Sequence, residues 1–371
     1  MDHHDPPDAP AVRLAHELVM AAHRHRASDV HVEPRRTALH IRWRIDGVLC
    51  DGPTYPLELH GALVARLKVL AELNLVERRR PQDGQFRLHL GSGPEAHDHL
   101  DVRLATMPTV TGERAVLRLT AGLHERRRLS DLGLPPTLAA RLSRVLHAPS
   151  GMVVCAGPTG AGKTTTLYAA LGELDDGTRH LATIEDPVEH VIDGITQIQV
   201  SDATGLTFST ALRALLRHDP DVVLLGEIRD RETAQVAVQA ALSGHLVLTT
   251  LHATDAVAAL TRLVDLGVDR YLVAAAVTGV VAQRLLRRLQ PGEPPRYEGR
   301  VGAFEVLTTS PTLRQLVSER ASEDRLRHEA TGHGWRPLRH AADDLVARGL
   351  TSRAEVLRTL HLDELDTTWE P

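Results

Sequence analysis

A phosphate-binding pattern occupies residues 157–164, where Gly157 is followed after four residues by Gly162, Lys163 and Thr164. Glycine lets backbone N–H groups curl around phosphate oxygens, and the start of a following helix adds positive partial charge. Lys163 is expected to reach the β- and γ-phosphates, and the Thr164 hydroxyl is expected to ligate Mg²⁺. The alternative is a glycine-rich turn that binds nothing. We predict a nucleoside triphosphate site formed by Gly157, Pro158, Thr159, Gly160, Ala161, Gly162, Lys163, Thr164 and Thr165.

Acidic residues follow two apolar runs. Glu185 comes directly after residues 181–184, and Glu227 follows residues 222–225 and Gly226. In an open α/β sheet such strand ends face the ligand, so we expect the first acidic stretch beside the strand that carries the phosphate loop. Glu227 is expected to polarise the attacking water or to hold Mg²⁺ through water. The alternatives are an acidic surface loop for the first stretch and a structural salt bridge for the second.

Histidines and arginines supply further candidates. His245 and His252 flank one apolar strand, which favours a γ-phosphate sensor over simple packing. Arg213 and Arg217 are one helical turn apart and share a face. Other arginines, including Arg103, Arg114 and Arg118, sit in or beside strands of the first 120 residues. They either line solvated sheet faces or stabilise transition-state charge from across a domain cleft.

The elements that must position these residues indicate an α/β fold. A valine-rich strand over residues 152–156 precedes the loop, and a plausible helix follows it. An alanine-rich helix over residues 232–243 ends at Gly244. After a last apolar piece over residues 301–307 the chain reads as helical, with a capping box at Ser352 and Glu355. We expect an ATPase domain over residues 136–308 and a helical C-terminal subdomain over residues 309–371.

The first 120 residues combine helical spacing with alternating, strand-like patterns. Residues 11–27 and 57–75 carry apolar positions at helical spacing, and five short segments alternate like half-buried strands. The strand-like segments are residues 30–33, 39–45, 86–90, 100–105 and 115–119. We predict a disordered start over residues 1–10, a compact α+β domain over residues 11–120 and a linker over residues 121–135.

Composition excludes several classes of protein. A length of 371 residues favours more than one domain, and two cysteines exclude a disulfide framework. No apolar run approaches the roughly 20 residues that span a bilayer. A net charge of −5 with 3% aromatic residues disfavours a dedicated nucleic-acid binder. The cluster at His97, Asp98, His99 and Asp101 is a candidate metal site, but the usual zinc spacings are absent. We predict a soluble cytoplasmic protein.

Many separate motifs together resemble the type II secretion and type IV pilus assembly ATPases, the GspE/PilB family. These motifs are SDVHVEP at 28–34, RIDGVL at 44–49, RRPQDG at 79–84, DVRLATMPTVTGERAVLRL at 101–119, GPTGAGKTTTLYA at 157–169, IEDPVE at 184–189, LRALLRHDPDVVLLGEIRD at 212–230, GHLVLTTLH at 244–252 and QRLLR at 283–287. The resemblance covers nearly the whole chain. It implies a RecA-like P-loop motor domain preceded by a smaller PAS-like domain.

The resemblance also implies function and site roles. It implies a cytoplasmic homo-hexamer, peripheral to the inner membrane, that hydrolyses ATP with Mg²⁺ and drives a membrane platform protein to assemble a pilus or pseudopilus. Glu185 and Glu227 match the catalytic acids of the family, and His245 and His252 match its histidine box. The nucleotide-contacting arginines of the family fall on Arg103, Arg118, Arg213 and Arg217.

Three departures from the family pattern stand out. Because the sequence begins almost at SDVHVEP, we expect the usual N-terminal docking domain to be absent. The four zinc-binding cysteines common after the QRLLR position are absent, so no zinc is expected. Gln85 stands where the family usually has arginine, and we assign it no phosphate contact.

We therefore predict an ATP-driven pilus or secretion motor of the assembly type. Alternatives are a retraction motor of the same superfamily and a nucleic-acid-translocating ATPase, which acidic charge and few aromatic residues disfavour. A non-hydrolysing scaffold conflicts with the joint presence of Lys163, Thr164, Glu185 and Glu227.

Overall fold

The computed structural model describes residues 10–90, 99–121, 128–292 and 295–360. The chain divides into two compact units, Met1–His124 and Glu125–Pro371. The predicted disorder of the N-terminus, apart from residue 10, lies outside the described residues, as do His97 and Asp98 of the histidine cluster. The end of the predicted C-terminal subdomain, residues 361–371, also lies outside them.

The first unit is a single antiparallel sheet with helices. Its described elements are α1 (Pro10–Arg24), β1 (Ala27–Pro34), β2 (Ala38–Ile45), β3 (Val48–Pro56), α2 (Leu59–Leu70), β4 (Gln82–His89), β5 (His99–Thr109) and β6 (Gly112–Ala121). The strand order is β3-β2-β1-β6-β5-β4, and every neighbouring pair is antiparallel.

The core of this unit follows from alternation. Val30 and Val32 of β1 are buried together with apolar residues of α1 and α2, because successive side chains of a strand point to opposite faces. The other face of β1 carries Asp29, His31 and Glu33. This arrangement confirms the predicted α+β architecture.

The second unit begins with a 3₁₀ turn, Leu129–Leu132, and continues as alternating helices and strands. Its further described elements are α3 (Pro136–Leu146), β7 (Gly151–Ala156), α4 (Lys163–Leu174), β8 (Leu181–Glu185), β9 (Thr196–Gln199), a 3₁₀ turn (Asp202–Thr204), α5 (Phe208–Leu215), β10 (Val222–Leu225), α6 (Arg231–Leu242), β11 (Leu246–Leu251), α7 (Ala256–Asp265), α8 (Arg270–Ala276), β12 (Val277–Gln290), β13 (Arg296–Thr308), α9 (Pro311–Ser318), α10 (Glu323–Gly332), α11 (Leu338–Ala347) and α12 (Arg353–Leu360).

The sheet of the second unit has seven strands in the order β13-β12-β7-β11-β10-β8-β9. All neighbouring pairs are parallel except β12 and β13, which form an antiparallel hairpin. Met152 and Val154 of β7 enter one apolar core, and Val153 and Cys155 enter another, so helices cover both faces. Both-sided burial accounts for the continuous apolar runs of these strands. The α/β fold class is confirmed.

Three strands escaped the sequence patterns. β9 spans only the four residues TQIQ, of which one is apolar. β12 contains Gly279 and, within and after the QRLLR motif, several arginines, a composition that hides a strand. β3 is mostly exposed and shows no apolar alternation.

The prediction that the acidic stretch at Glu185 lies beside the strand of the phosphate loop is wrong. β10 and β11 lie between β8, which ends at Glu185, and β7, which carries the phosphate loop. Sequence order did not reveal this insertion because parallel strands can be joined in several spatial orders.

The predicted helical C-terminus is confirmed over residues 311–360, where α11 and α12 pack on the hairpin through a small apolar cluster. Among the described ranges, no helix has the length and apolar character needed to cross a bilayer.

Candidate nucleotide site

The phosphate loop joins the buried strand β7 to the N-terminus of α4. Gly157, Gly160 and Gly162 have φ angles of +154°, +77° and +86°, a region that L side chains rarely adopt. Gly162 caps α4 without a side-chain hydrogen bond, so the first N–H groups of the helix point into the loop. This geometry fits a phosphate ligand, because uncapped N–H groups and the helix dipole both favour an anion.

The Lys163 side chain extends back across the phosphate loop. Its Nζ donates to the carbonyl oxygens of Gly157 at 2.8 Å and Pro158 at 2.9 Å. Burial lowers the pKa of Lys163, while the nearby Cys155 and Glu227 act to raise it. An ammonium held between the loop and a carboxylate can shift onto phosphate oxygens without leaving this neighbourhood.

Glu227, Arg229 and His252 converge beside Lys163. Glu227 follows β10 and His252 follows the adjacent β11, so the two side chains lie at the same edge of the sheet. Arg229 Nη2 is 2.5 Å from Glu227 Oε1, and His252 Nε2 is 3.7 Å from Glu227 Oε2. Burial and the Lys163 charge lower the pKa of His252, although Glu227 opposes them. The direction of this shift favours the neutral imidazole, which can serve as a hydrogen-bond sensor.

Gly226 occupies the position where many P-loop enzymes carry a metal-binding aspartate. A Cβ at this position would lie 3.2 Å from the Ile184 carbonyl oxygen and 3.5 Å from Glu185 Cα. The close approach of β8 thus favours glycine here and leaves Glu227 as the nearest acid of this motif.

The residues present fit Mg²⁺. Thr164 lies in the first turn of α4, and Glu227 carries a partly exposed carboxylate on the Lys163 side. Hydroxyl and carboxylate oxygens are the ligands that Mg²⁺ takes in nucleotide sites, where phosphate and water complete the octahedron. Among the described residues, no cluster of three or more His, Cys, Asp or Glu side chains is arranged to hold a metal.

Glu185 is the centre of a buried hydrogen-bond network on β8. Its side chain accepts from the Tyr168 hydroxyl, from Thr183 Oγ1 at 2.5 Å and from Gln197 Nε2 at 3.2 Å. Burial and the bond to Glu185 raise the pKa of Tyr168. The network ties α4 to β8 and β9, and β8 lies directly beside β10, which precedes Glu227.

The two predicted sensor histidines lie at opposite ends of β11. His245 precedes the strand and its Nδ1 lies 3.0 Å from the Ala240 carbonyl oxygen. Six strand residues separate it from His252, which corresponds to roughly 20 Å. Within this chain the structure therefore brings only His252 to the phosphate loop.

The predicted arginines lie in several places. Arg213 pairs with Glu232 of α6 at 3.2 Å, and Arg217 donates to the Arg213 carbonyl oxygen at 3.1 Å. In the first unit, Arg103 and Arg118 are cross-strand neighbours on β5 and β6. Arg118 also donates to Asp29 at 3.0 Å, which explains why the SDVHVEP segment carries a buried acid.

Sequence reasoning assigned no role to Gln283, Arg284 and Tyr168. Gln283 bonds directly to the phosphate loop, and Arg284 donates to the Thr254 carbonyl oxygen at 2.8 Å, two residues after His252. The QRLLR motif was the only sequence signal that could have pointed to the first two.

Comparisons with known proteins show the family of this chain. A family model described as Type II/IV secretion system protein matches residues 5–358. The type II secretion system protein HxcR of Pseudomonas aeruginosa is 45% identical over 367 residues, covering 94% of this chain and 77% of that protein. The type IV pilus assembly ATPase PilB of Myxococcus xanthus is 39% identical over 387 residues, covering 94% and 68%.

Solved structures show the same fold. The pilus retraction motor PilT with bound ADP has a TM-score of 0.68 at 27% identity, covering 94% of this chain and 97% of that one. The Legionella pneumophila ATPase DotB has a TM-score of 0.75 at 21% identity, covering 95% and 96%. The extent of the family match and the identity to these relatives show that the chain belongs to the type II/IV secretion system protein family.

Proposed function

We propose that this chain binds ATP on the phosphate loop, hydrolyses it, and uses the energy to power type II secretion or the assembly of a pilus or pseudopilus. The observation that carries the proposal is the convergence of Lys163, Glu227 and His252 at one edge of the sheet. The likeness to HxcR and PilB supports the secretion and assembly role.

The chain's own residues account for hydrolysis. The α4 N-terminus and Lys163 hold the β- and γ-phosphates. Thr164 would hold Mg²⁺ directly and Glu227 would hold it through water, and the ion would neutralise charge developing on the phosphate oxygens. The Glu227 carboxylate accepts a proton from the water that attacks the γ-phosphorus, while the bond to the leaving ADP oxygen breaks. Neutral His252 donates a hydrogen bond to the γ-phosphate. Glu185 holds β9 to β8 through its hydrogen bond from Gln197, and it is a candidate for a supporting catalytic role.

The remaining partner assignments belong to the same proposal. We infer a homo-hexamer in the cytoplasm, peripheral to the inner membrane, whose partner is a membrane platform protein. In that assembly we assign nucleotide contacts to Arg103, Arg118, Arg213 and Arg217, and a γ-phosphate sensor role to His245. The likeness to PilT supports a second candidate, a retraction motor, but the higher identity to the assembly and secretion relatives favours the first.

Purified protein and two variants test the enzymatic part. Lys163→Ala should lose ATP binding, whereas Glu227→Gln should bind Mg·ATP normally and hydrolyse it about 100-fold or more slowly. Glu319→Gln, which removes an exposed carboxylate at the end of α9, is the matched control and should leave both quantities unchanged. Turnover within a few-fold of wild type in Glu227→Gln would overturn the assignment of the base.

Deletion of the gene tests the cellular part. Loss of secreted protein or of pili, restored by the wild-type gene and not by Lys163→Ala, is the expected result. Hyperpiliation after deletion would favour the retraction motor. DNA-stimulated hydrolysis that weakens with salt would instead support a nucleic-acid translocase.

A further inference from the structure

β12 extends beyond the strand beside it. Val281 and Ala282 lie opposite Cys155 and Ala156, and β7 ends at Ala156. The next residue of β12, Gln283, therefore lies beside the phosphate loop. The QRLLR motif starts at this residue.

Gln283 is 1% exposed, and its side chain bonds to both ends of the phosphate-binding segment. Its Nε2 donates to the Ala161 carbonyl oxygen at 2.6 Å. Its Oε1 accepts from Thr166 Oγ1 at 2.8 Å and from Cys155 Sγ at 3.3 Å. One amide thus joins β7, the loop and the first turn of α4.

The contacts bracket four residues. Ala161 and Thr166 stand immediately before and after residues 162–165, the segment whose N–H groups, ammonium and hydroxyl would face the phosphates and Mg²⁺. The fit is close, because a Cβ on Gly162 would lie 3.1 Å from Gln283 Nε2 and one on Gly157 would lie 2.8 Å from the Gln283 carbonyl oxygen.

We propose that Gln283 is a positioning residue for nucleotide binding, which holds residues 162–165 in the phosphate-binding geometry from the side of β12. This inference rests on the proposed ATP site and adds a residue to it that touches neither nucleotide nor metal. A buried amide is suited to the task, since its hydrogen bonds are short, face no competing water and fix the loop before the ligand arrives.

The test is an affinity measurement on the full chain with fluorescent ADP and ATP in the presence of Mg²⁺, together with KM and kcat. Gln283→Leu removes all three hydrogen bonds at similar size and should raise both dissociation constants and KM about tenfold or more, with a smaller change in kcat. Thr166→Val removes the hydrogen bond from Thr166 to Gln283 and should raise the dissociation constants and KM several-fold. The double variant should resemble Gln283→Leu, because Thr166 has then already lost its partner.

Thr278→Val is the matched control. Thr278 lies on the same strand and donates to the Met152 carbonyl oxygen at 3.2 Å, at the opposite end of β7 from the phosphate loop. This variant should lower the melting temperature slightly and leave nucleotide affinity unchanged. An affinity loss equal to that of Gln283→Leu would show a general effect of β12 and overturn the proposal.

Other outcomes separate the proposal from its premise. If Gln283→Leu has a lower melting temperature but binds ADP and ATP like wild type, Gln283 is only a core residue and the positioning role is refuted. If Gln283→Leu does not fold, unchanged affinity in Thr166→Val refutes it equally. Wild-type protein that binds no nucleotide would refute the proposed function itself.

Discussion

Glu355 provides the sharpest energetic prediction, because a buried carboxylate anchors the last described helix to the β12–β13 hairpin. It accepts from Arg287 Nε at 2.9 Å and Nη2 at 2.7 Å, and from Arg358 Nε at 2.9 Å and Nη2 at 2.5 Å. The Arg287 guanidinium also lies 4.2 Å over the Tyr297 ring. Although burial acts to raise the pKa of Glu355, hydrogen bonds from Arg358 and Arg287 lower it to about 2.

The magnitude follows from this pKa. The difference between the ordinary value of 4.5 and about 2 corresponds to roughly 3 kcal/mol of stabilisation at pH 7. Arg358 is 45% exposed and so partly screened by water, and we reduce the expected contribution to about 2 kcal/mol. Glu355→Gln should therefore open α12 roughly 30-fold more often at pH 7.

Hydrogen exchange of residues 353–360 measures this opening directly. Because the folded pKa lies below the unfolded one, the stabilisation is present above about pH 4.5 and disappears as the pH falls toward 2. The difference between wild type and Glu355→Gln should shrink over the same window. Asp343→Asn, which breaks a longer and more exposed pair with Arg339 at 3.9 Å, should change exchange by less than about 1 kcal/mol. Identical exchange in wild type and Glu355→Gln at pH 7 would refute the reasoning.

Two further predictions concern other buried acids. Burial raises the pKa of Glu305 to about 7, against hydrogen bonds from the Ala256 and Leu338 N–H groups. Its contribution to stability should therefore be complete below about pH 4.5 and fall by about 3 kcal/mol as the pH rises through 7. Hydrogen exchange of residues 338–347 in wild type and Glu305→Gln should diverge between pH 5 and 8, and parallel profiles would contradict this. Tyr168→Phe should lower the free energy of unfolding of the second unit by about 1–2 kcal/mol, because buried Glu185 loses a donor. Urea titration should show little effect for the exposed control Tyr271→Phe, and equal midpoints for the two variants would disprove the argument.

Local patterns predicted the elements that carry the nucleotide site. The loop glycines, Lys163 and Thr164 form one contiguous segment, so chain order alone fixes their arrangement. β7, β10 and β11 are buried on both faces and therefore read as short apolar runs.

Spatial order was the part that sequence could not supply. Glu185 and Glu227 follow similar apolar runs. However, two strands separate β8 from β7, whereas only β11 separates β10 from β7. His245 and His252 read as a symmetric pair, although strand geometry places them at opposite edges. Gln283 lies 117 residues from Thr166 in sequence, and such distant contacts leave no local pattern.

The reach of β12 past β7 restricts how this strand can vary. Side chains of a strand alternate between two faces. Gln283 and Arg284 therefore point to opposite sides of β12 and donate to two different loops, at Ala161 and Thr254 respectively. Deleting a single residue between Thr278 and Gln283 would bring Arg284 to the position of Gln283 and aim a guanidinium at the loop carbonyl in place of the amide, and adding one would bring the short Ala282 there. Length, more than composition, is thus the property that this strand must preserve.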